Sequence, residues 1–559
     1  MANDSRVPST AHRKLFARIS KSHLWGGMAC ALLFLLLGCV FVDYAGIQTD
    51  EALFTSPLFC SWPFFSVRFG HYNLPLMNMS YNGALKTWLC APILLTAARP
   101  TAALIRVPAI FMGAATIVIF WGLLCRVHSR RAAWTGCILL ATDTSFLMLT
   151  VHDWGPVALQ HLLLVAAMFC GVRWFQTGTT YSLAAAAFFC GLALWDKAVF
   201  IWVLTGILAG SLIFMPGIHR RLTWRSAAII AGAFCLGALP LIVYNLAAEQ
   251  KFGTIRSNPS PGFGVKFREI SERLRALRAT ANGSIVLGYL VNEDVAQQPK
   301  SARSKLDRLS FSIRHLTGEH RRNNMVPAYY GALLLLPLLW RTRARNVILF
   351  CLIAVVVAWI FMASTGVGGS AHHTVLLWPL PQLFLAAAFA EASLHLRFGK
   401  SVLGAVVGSL AVGSLLVTNQ YLYQFIRNGA SDVWTDAIYP LADGLKQANA
   451  SQIVLPDWGL NDSLCVLDRD KWITHAVEDP FLADSHSPSQ KRGELQILSD
   501  RNAIWVEHVP GHETSPGVDN RVIDAAHRAG FEPVRLQTYY DRNGRAIFQT
   551  LRFTPKSPQ

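Results

Sequence analysis

Four short polar clusters interrupt long apolar stretches of this sequence, and their residue types suit acid–base and anion-binding chemistry. They are Thr49-Asp50-Glu51, His152-Asp153-Trp154-Gly155, Trp195-Asp196-Lys197 and the glycine-rich segment 366–373 that ends in His372-His373. A charged side chain in hydrocarbon costs at least ~2.5–3.5 kcal/mol, so charges at the ends of apolar segments need a reason. Carboxylates, a lysine and two imidazoles beside one wet cavity could remove a proton and bind an anion. The sequence therefore indicates a reactive site assembled from these clusters.

Each cluster also has a purely structural interpretation. Adjacent carboxylates such as Asp50 and Glu51 are usually solvated in a loop, and Asp153 could cap the helix that follows it. Asp196 and Lys197 could pair with each other, and neighbouring histidines could bond to backbone carbonyls. The topology derived below places all four clusters on one face of the membrane, which favours a shared site.

The elements that carry these clusters are apolar segments long enough to cross a membrane. The 559 residues are 53% hydrophobic and 15% charged, with a mean hydropathy of +0.35. Soluble proteins carry roughly 25% charged residues, so the composition excludes a single soluble domain, a disordered tail and a fibrous repeat. The pattern predicts about eleven transmembrane helices, near residues 24–42, 104–125, 132–150, 155–175, 180–196, 198–214, 226–246, 327–340, 346–363, 374–394 and 401–420.

Basic residues in the short loops are distributed unequally between the two sides of these predicted helices. One side carries 17: Arg6, Arg13, Lys14, Arg18, Lys21, Arg126, Arg130, Arg131, Arg173, Arg220, Arg221, Arg225, Arg341, Arg343, Arg345, Arg397 and Lys400. The other short loops carry five: Arg68, Lys86, Arg99, Arg106 and Lys197. Because Lys and Arg beside membrane spans are retained in the cytoplasm, we expect residues 1–23 to form a cytoplasmic tail and the carboxyl terminus to lie outside. The net charge of +17 then reflects membrane topology and not nucleic-acid binding.

The first apolar run and the cysteines bear on cellular location. The run is interpreted as an uncleaved anchor because it continues through Val42, past a segment, 36–39, that resembles a lipoprotein cleavage site. Most of the 11 cysteines lie inside apolar runs and are interpreted as small hydrophobic residues. Cys60, Cys90 and Cys465 lie outside the runs, and the sequence allows a Cys60–Cys90 disulfide.

Two long loops are expected on the outer face. Loop 43–103 is rich in aromatic residues, which favour the lipid headgroup level, so we expect short helices along the membrane surface. Loop 247–326 contains a basic helical pattern with Ile270, Leu274 and Leu277 on one face. That pattern suits either an interfacial helix on anionic lipid or an ordinary solvated helix.

The segment 421–559 has a different composition and predicts a small α/β domain in the periplasm. Short strands are expected at 453–455 and 504–506, a helix at 522–529 and a final strand at 545–553. The 139 residues are enough for a separate hydrophobic core. No glycine-rich phosphate-binding loop is present in the sequence, so nothing indicates a nucleotide site.

Several of the polar residues recur in a pattern that resembles a known family. Asp50-Glu51 after the first span, the segment 81–88 (Tyr-Asn-Gly-Ala-Leu-Lys-Thr-Trp), Arg106, Asp153 and the segment 191–197 resemble the C-type glycosyltransferases. The bacterial protein O-mannosyltransferase and aminoarabinose transferase group is similar in layout over roughly residues 20–420. Two departures are Gly83-Ala84 where the family usually has Pro-Pro, and Asp196-Lys197-Ala198 where it typically has Thr-Lys-Gly.

The resemblance implies a transmembrane glycosyltransferase domain at 24–420 that takes a sugar from a polyprenyl phosphate outside the cytoplasm, normally with inversion. Asp50 would be the general base, with Glu51 beside it, and Asp153 would orient Asp50 or the acceptor, or join Asp50 in holding a divalent ion. Lys197 would neutralise the departing lipid phosphate. Candidates to help it are Arg106, Lys86, His372 and His373. No ligand set in the sequence is specific enough to require a metal.

Other functions remain open from the sequence alone. A transporter or flippase for a lipid-linked or anionic solute would favour inverted repeats and polar groups near the bilayer midplane. A structural or assembly protein acting through 421–559 would leave the charges at the span ends unexplained. For an enzyme, the acceptor could be a protein, lipid A or a growing glycan, and a bacterial inner membrane is the expected location.

Overall fold

Apolar helices make up most of the chain before residue 429 in this computed structural model. The structure describes residues 24–556 except 60–63, 71, 98–99, 248–251, 258–266, 295–298, 366–367, 449, 469–473 and 477–495. The predicted tail 1–23, Cys60 and Arg99 therefore lie outside the described residues.

The elements follow one another along the chain in three stretches. The first contains helices α1 (Trp25–Val40), α2 (Thr49–Ala52), α3 (Leu85–Thr96), α4 (Ala102–Val127), α5 (Arg130–Ala141), α6 (Thr144–Val151), α7 (Val157–Thr177), α8 (Thr180–Asp196), α9 (Ala198–His219), α10 (Trp224–Gly237) and α11 (Leu239–Leu246), with strands β1 (Phe65–Phe69) and β2 (Tyr72–Met77). The second contains α12 (Gly253–Ser257), α13 (Phe267–Ala281), α14 (Lys305–Thr317), α15 (Met325–Leu334), α16 (Leu336–Leu339), α17 (Arg345–Ser364), α18 (Ala371–Leu377), α19 (Leu380–His395) and α20 (Gly399–Asn428). The third contains α21 (Ile438–Gln447), β3 (Ile453–Leu455), α22 (Asn461–Asp468), β4 (Thr474–Ala476), β5 (Ile504–His508), α23 (Val518–Arg528), β6 (Phe531–Tyr540) and β7 (Ala546–Pro555).

Five helices, α4, α7, α9, α17 and α20, are long and apolar enough to cross a membrane. Three bent pairs pass the same test when each pair counts as one span: α5–α6, α10–α11 and α18–α19, bent by 56°, 71° and 40°. The other three predicted spans coincide with the shorter apolar helices α1, α8 and α15. Within the described residues the structure supports an integral membrane protein with five to eight spans, and eleven stays a prediction.

The bends fall where the local sequence ends or restarts a helix. Asp143 precedes α6, and its carboxylate accepts a hydrogen bond from the backbone N–H of Phe146 at 2.9 Å, which caps that helix. Pro240 and Pro381 lie in the first turns of α11 and α19, where a missing N–H costs no helical hydrogen bond.

Glycines allow two pairs of membrane helices to approach closely. A Cβ atom on Gly191 of α8 would lie 2.2 Å from the carbonyl oxygen of Phe234 on α10. A Cβ atom on Gly206 of α9 would lie equally close, 2.2 Å, to the carbonyl oxygen of Ala354 on α17. Small residues at such crossings let backbones pack directly, which holds the site-bearing helices α8 and α9 in place.

The carboxyl-terminal stretch contains a five-stranded sheet in the order β4-β3-β5-β7-β6. Strands β3, β4 and β5 are parallel, whereas β7 runs antiparallel to both β5 and β6. Side chains alternate along the strands, so Ile453 and Leu455 pack with α21 while Val454 packs with α23 on the opposite face. The strands at 453–455 and 504–506 occur where the sequence predicts them, and the domain boundary at 421 stays a prediction.

This sheet region packs against the first outer loop. The hydroxyl of Ser56 donates to the carboxylate of Asp462 at 2.7 Å, and the backbone N–H of Gly46 donates to the carbonyl of Trp434 at 2.8 Å. The guanidinium of Arg542 donates to the backbone carbonyl of Asp43 at 2.6 Å. These contacts hold loop residues 43–56, including α2, against the carboxyl-terminal part.

The outer loops differ in detail from the expectations. Loop 43–103 contains a hairpin, β1–β2, as well as short helices, because alternation of apolar and polar residues at 65–69 suits a strand. In α13, Ile270 and Leu274 are more than a third exposed, but Arg273 on the same helix is buried and donates to the carbonyl of Thr365 at 2.6 Å. This helix therefore packs on the protein along one face.

The Cys60–Cys90 disulfide that the sequence allows does not form. Cys90 is a buried free thiol. The cysteines of the apolar helices are free thiols as well. Cys465 is disulfide-bonded.

Candidate active site

Four chain segments meet where α7 begins and α8 ends. They are α2, the turn between α6 and α7, the junction of α8 with α9, and the first turn of α18. Trp154, in the second of these, contacts two of the others: its indole N–H donates to Asp50 of α2, and its ring lies 4.6 Å from that of His372 on α18. The next residue, Gly155, packs against Lys197 at the junction of α8 with α9. The four polar clusters identified in the sequence therefore converge.

Glu51 and Arg106 form a closed pair within this region. Both side chains are fully buried, and the guanidinium donates to both carboxylate oxygens, at 2.7 and 2.9 Å. Its remaining N–H groups donate to the carbonyls of Val42, Ala45 and Gly46 at 2.6–3.0 Å. All five guanidinium donors are used, so this pair fixes the loop after α1 onto α4 and presents no free donor to a substrate.

Lys86 and Asp153 form a second buried ion pair. The ammonium of Lys86 contacts the carboxylate of Asp153 directly, and it also lies 4.8 Å from the centre of the Phe54 ring. The other carboxylate oxygen of Asp153 accepts from the backbone N–H of Ala158 at 3.1 Å, so it caps α7 as the structural interpretation predicts. Asp153 itself has a φ of 38°, a left-handed conformation that these two contacts stabilise.

Asp50 is oriented differently from its neighbour Glu51. Its carboxylate oxygen Oδ2 accepts a hydrogen bond from the indole N–H of Trp154 at 2.8 Å, and its backbone N–H donates to the side chain of Gln48 at 2.6 Å. Burial raises the pKa of the Asp50 carboxyl above its ordinary value, while the Trp154 bond and the nearby charge of Lys197 act in the opposite direction. A partly buried carboxylate with a raised pKa is a better proton acceptor than a solvated one.

Lys197 is the second charged group that is not closed by an ion pair among the described residues. Its backbone pairs with Asn82 in an isolated bridge, which fixes the junction of α8 and α9 to the segment before α3. Its Nζ atom lies against Gly155, where a Cβ would approach it to 2.7 Å. The side chain is only 2% exposed, and none of the described residues gives the ammonium a hydrogen bond or an ion pair. Burial lowers the pKa of Lys197 to about 8, although Asp50 favours its charged form.

The alternative in which Lys197 simply pairs with Asp196 is not what the structure shows. Asp196 is fully buried and makes no direct ion pair with Lys197; its carboxylate accepts a hydrogen bond from the side chain of Gln160 at 2.8 Å. Gln160 also donates to the carbonyl of Ala193 at 2.9 Å. Asp196 therefore ties α7 to α8, and Lys197 is left to face the site.

The two histidines lie on the far side of Lys197. The His372 and His373 rings are 4.0 Å apart, and His373 contacts the hydroxyl of Ser370 at 2.8 Å and the ring of Trp202 at 5.3 Å. A Cβ on Gly155 would lie 3.9 Å from the ring of His372, so this imidazole is close to the Lys197 ammonium. His372 thus lies near Gly155 and Lys197, whereas His373 packs against Ser370 and Trp202.

The residues do not offer a metal-binding set. Among the described residues, no three His, Cys, Asp or Glu side chains group together as metal ligands. Both carboxylate oxygens of Asp153 are used, one by Lys86 and the other by the backbone N–H of Ala158. The chemistry below is therefore derived from the chain's own residues.

Sequence reasoning missed two contributors to this site. Trp154 occurs in one of the polar clusters, but its indole N–H had no assigned role. Tyr289, from the long loop 247–326, stacks on the Trp154 ring at 4.2 Å with the two planes only 17° apart. No local signal identifies Tyr289, because it lies 135 residues away from Trp154 in a loop without a distinctive motif.

Comparison with solved structures bears on the fold. Crystal structures of ArnT from Cupriavidus metallidurans, in the apo state and bound to undecaprenyl phosphate, match with a TM-score of 0.55 and 12% identity over 93% of this chain and 97% of that one. The chain has a C-type glycosyltransferase fold. The resemblance seen in the sequence is thus confirmed at the level of the fold.

A second similar structure belongs to an oligosaccharyltransferase from Archaeoglobus fulgidus tethered with an acceptor peptide. It matches with a TM-score of 0.47 and 11% identity over 97% of this chain and 74% of that one. No protein-family model matches the sequence, and comparison with curated proteins finds no match.

Proposed function

We propose that this protein is a membrane glycosyltransferase that moves a sugar from a polyprenyl-phosphate-linked donor to an acceptor on the extracytoplasmic face. The observation that carries this proposal is the buried Lys197 ammonium, which makes no hydrogen bond and no direct ion pair with the described residues, although Asp50 lies near enough to favour its charged form. A buried cation without a partner is costly, so its presence favours an anionic ligand. That the similar ArnT structure holds undecaprenyl phosphate supports a lipid phosphate as this anion.

Lys197 then acts on the leaving group. As the bond between the sugar and the phosphate breaks, negative charge builds up on the phosphate oxygen. A fixed ammonium in a water-poor site stabilises that charge more than bulk water does, without having to reorganise. His372, which lies beside Gly155, is placed to donate a further hydrogen bond to the same phosphate.

Asp50 then acts on the acceptor. Its carboxylate removes the proton from an acceptor hydroxyl or amine while the acceptor's oxygen or nitrogen bonds to the anomeric carbon. The phosphate leaves from the opposite face of that carbon, which inverts its configuration. The raised pKa of Asp50 improves its strength as a base, and general base catalysis typically contributes ~10²–10⁴-fold.

The pairs Glu51–Arg106 and Lys86–Asp153 are then assigned to positioning. The sequence pattern suggested Glu51 and Asp153 as catalytic and Arg106 and Lys86 as phosphate-binding, but these four charges neutralise one another. They hold α2 and the α6–α7 turn in register, and these segments carry Asp50 and Trp154.

Two observations support an extracytoplasmic site. The short loops on the opposite side carry 17 basic residues against five on the site's side. Cys465, in the part of the chain that packs against the site-bearing loop, is disulfide-bonded, which is typical of proteins outside the cytoplasm. A bacterial inner membrane with a periplasmic carboxyl terminus fits both.

The deciding experiment is transfer by the purified protein in proteoliposomes, with undecaprenyl phosphate carrying a radiolabelled sugar as donor. Asp50→Asn keeps the size of the side chain but removes the base, so the transfer rate should fall by ~10²–10⁴-fold. Asp43→Asn, an exposed carboxylate in the same loop, is the matched control and should retain the wild-type rate.

Folding of each variant is checked by its unfolding temperature. A well-folded Asp50→Asn protein with full transfer would rule out Asp50 as the base. If the wild-type protein instead moved the intact labelled lipid across the bilayer without transferring the sugar, the flippase alternative would replace the enzyme.

A further inference from the structure

We propose that Trp154 is a positioning residue for the reaction: its indole N–H holds Oδ2 of Asp50 so that the other carboxylate oxygen faces the acceptor. This inference rests on the proposed function of Asp50 as the base. It assigns a role to a residue that neither touches the sugar nor carries a charge.

The first support is the hydrogen bond itself. The Nε1–Oδ2 distance is 2.8 Å and joins residues 104 positions apart in the chain, so it connects α2 to the α6–α7 turn. An indole N–H can only donate, and it does not ionise. It therefore pairs well with the ionised carboxylate and poorly with a protonated one, and the ionised form is the one that a base needs.

The second support is the way the indole is held. One face stacks on the Tyr289 ring at 4.2 Å, and the His372 ring contacts it at 4.6 Å. Its backbone lies between Asp153, which is bound to Lys86, and Gly155, which adopts a positive φ of 70°. Restraint from both rings and both flanking residues fixes the direction of the N–H bond, and with it the direction of the carboxylate.

The third support is that the other charged and titratable groups around Asp50 do not orient its carboxylate. The charged and titratable side chains that influence it are Lys197 of the α8–α9 junction, Tyr81 before α3, Tyr289 of the long loop and Asp462 of α22. Glu51 is turned away and paired with Arg106. Among the described residues, the hydrogen bond that reaches the carboxylate of Asp50 comes from Trp154.

The test is the pH dependence of kcat/KM for transfer by Trp154→Phe, which keeps an aromatic ring but removes the donor. As the pH is lowered, kcat/KM of this variant should fall at a higher pH than that of the wild-type protein. The acidic limb of its profile should be displaced upward by about one pH unit. At a fixed pH on that limb this is about a tenfold decrease in rate. The KM for the lipid donor should change little, because Lys197 is intact.

Trp202→Phe is the matched control. This buried tryptophan packs against His373 at a ring distance of 5.3 Å, on the same side of the site, and makes no contact with Asp50. The acidic limb of this variant should coincide with that of the wild-type protein. An equal displacement in both variants would show a general effect of tryptophan loss and would overturn the inference.

The result separates this inference from the proposed function. If Asp50→Asn loses transfer but Trp154→Phe keeps the wild-type acidic limb, then Asp50 is the base and Trp154 does not position it. If Asp50→Asn keeps full transfer, the assignment of Asp50 as the base fails, and this inference falls with it.

A second measurement does not depend on how well Trp154→Phe folds. In wild-type protein labelled with ¹⁵N-tryptophan, the Trp154 indole N–H resonance should move as Asp50 titrates, and this movement should be absent in Asp50→Asn. A resonance that stays constant over the acidic limb of the wild-type rate profile would contradict the hydrogen bond.

Discussion

Two groups of buried charges lie side by side in this protein and differ in how completely they are paired. In one, Glu51 meets Arg106 and every guanidinium donor is used. In the other, Asp50 is held by the neutral indole of Trp154, and the ammonium of Lys197 has no partner among the described residues. The first group is closed, and the second is open to a ligand.

The difference shows how the same residue types serve two purposes. A closed pair lowers the cost of its own burial, and it joins two segments that would otherwise separate. A buried cation without an ion-pair partner keeps most of the free-energy cost of its burial until an anion binds. Relief of that cost then contributes to the binding free energy of the anion. Burial by itself thus does not identify a reactive charge in a membrane protein. The absence of a protein counter-ion is the more informative observation.

The largest effect on stability is expected from opening the closed pair. Glu51→Gln leaves Arg106 buried without its counter-ion, which should lower the free energy of unfolding by about 3–5 kcal/mol. The change is measured by thermal unfolding in detergent. Glu272→Gln is the matched control, since its pair with Arg275 is about half exposed, and it should change stability by only about 0–1 kcal/mol.

A double variant sharpens this comparison. Glu51→Gln combined with Arg106→Met removes both charges, and it should recover part of the lost stability because no unpaired charge remains. If Glu51→Gln alone unfolded at the wild-type temperature, the pair would not hold the loop after α1, and the contrast between the two groups would disappear.

The open cation should respond in the opposite way. Lys197→Met removes no hydrogen bond and no direct ion pair with the described residues, so the unfolding temperature should stay close to that of the wild-type protein, while the transfer rate falls by about 10²–10³-fold. Lys86→Met, which leaves Asp153 without its partner, should lower the unfolding temperature instead. Equal destabilisation by both lysine variants would mean that Lys197 has a structural partner.

The ionisation of Lys197 gives this contrast a pH signature. The pKa of Lys197 is lowered to about 8, so the ammonium loses its charge above that pH and transfer should decline there. Lys197→Arg keeps its charge at higher pH, so the surviving activity should lack this alkaline decline. A wild-type rate that is constant to pH 10 would show that the charge on Lys197 is not needed.

The smallest effect is expected at Gly155, which makes room for the ammonium. An added Cβ would lie 2.7 Å from Nζ of Lys197, and a φ of 70° disfavours any side chain. Gly155→Ala should cost about 1–2 kcal/mol and raise the KM for the lipid donor more than it lowers kcat. Gly171→Ala on α7, where a Cβ meets nothing within 4 Å, is the control. An unchanged donor KM in Gly155→Ala would place the phosphate elsewhere.

Local sequence is sufficient for much of the fold. Segments with few charges form helices because a backbone in hydrocarbon must satisfy its own hydrogen bonds. Each predicted span contains at least one helix in the structure. Strands such as 453–455 follow from short apolar runs between turns. The exact number of spans does not follow from hydropathy, since α1, α8 and α15 are shorter than a bilayer is thick.

The sequence by itself also determined which residues could react, because charges beside apolar segments are costly and therefore few. It placed Asp50, Asp153, Lys197 and His372 at the ends of such segments. It could not determine how those charges pair, since each has several partners of suitable chemistry.

Only the tertiary structure decided the pairing. Asp50 and Glu51 are neighbours on one helical turn, where successive side chains point about 100° apart. One carboxylate therefore faces Arg106 on α4 and the other faces Trp154 before α7. Residues so close in sequence carry the same composition signal, and only the positions of α4 and α7 around that turn make one a structural contact and the other a candidate base.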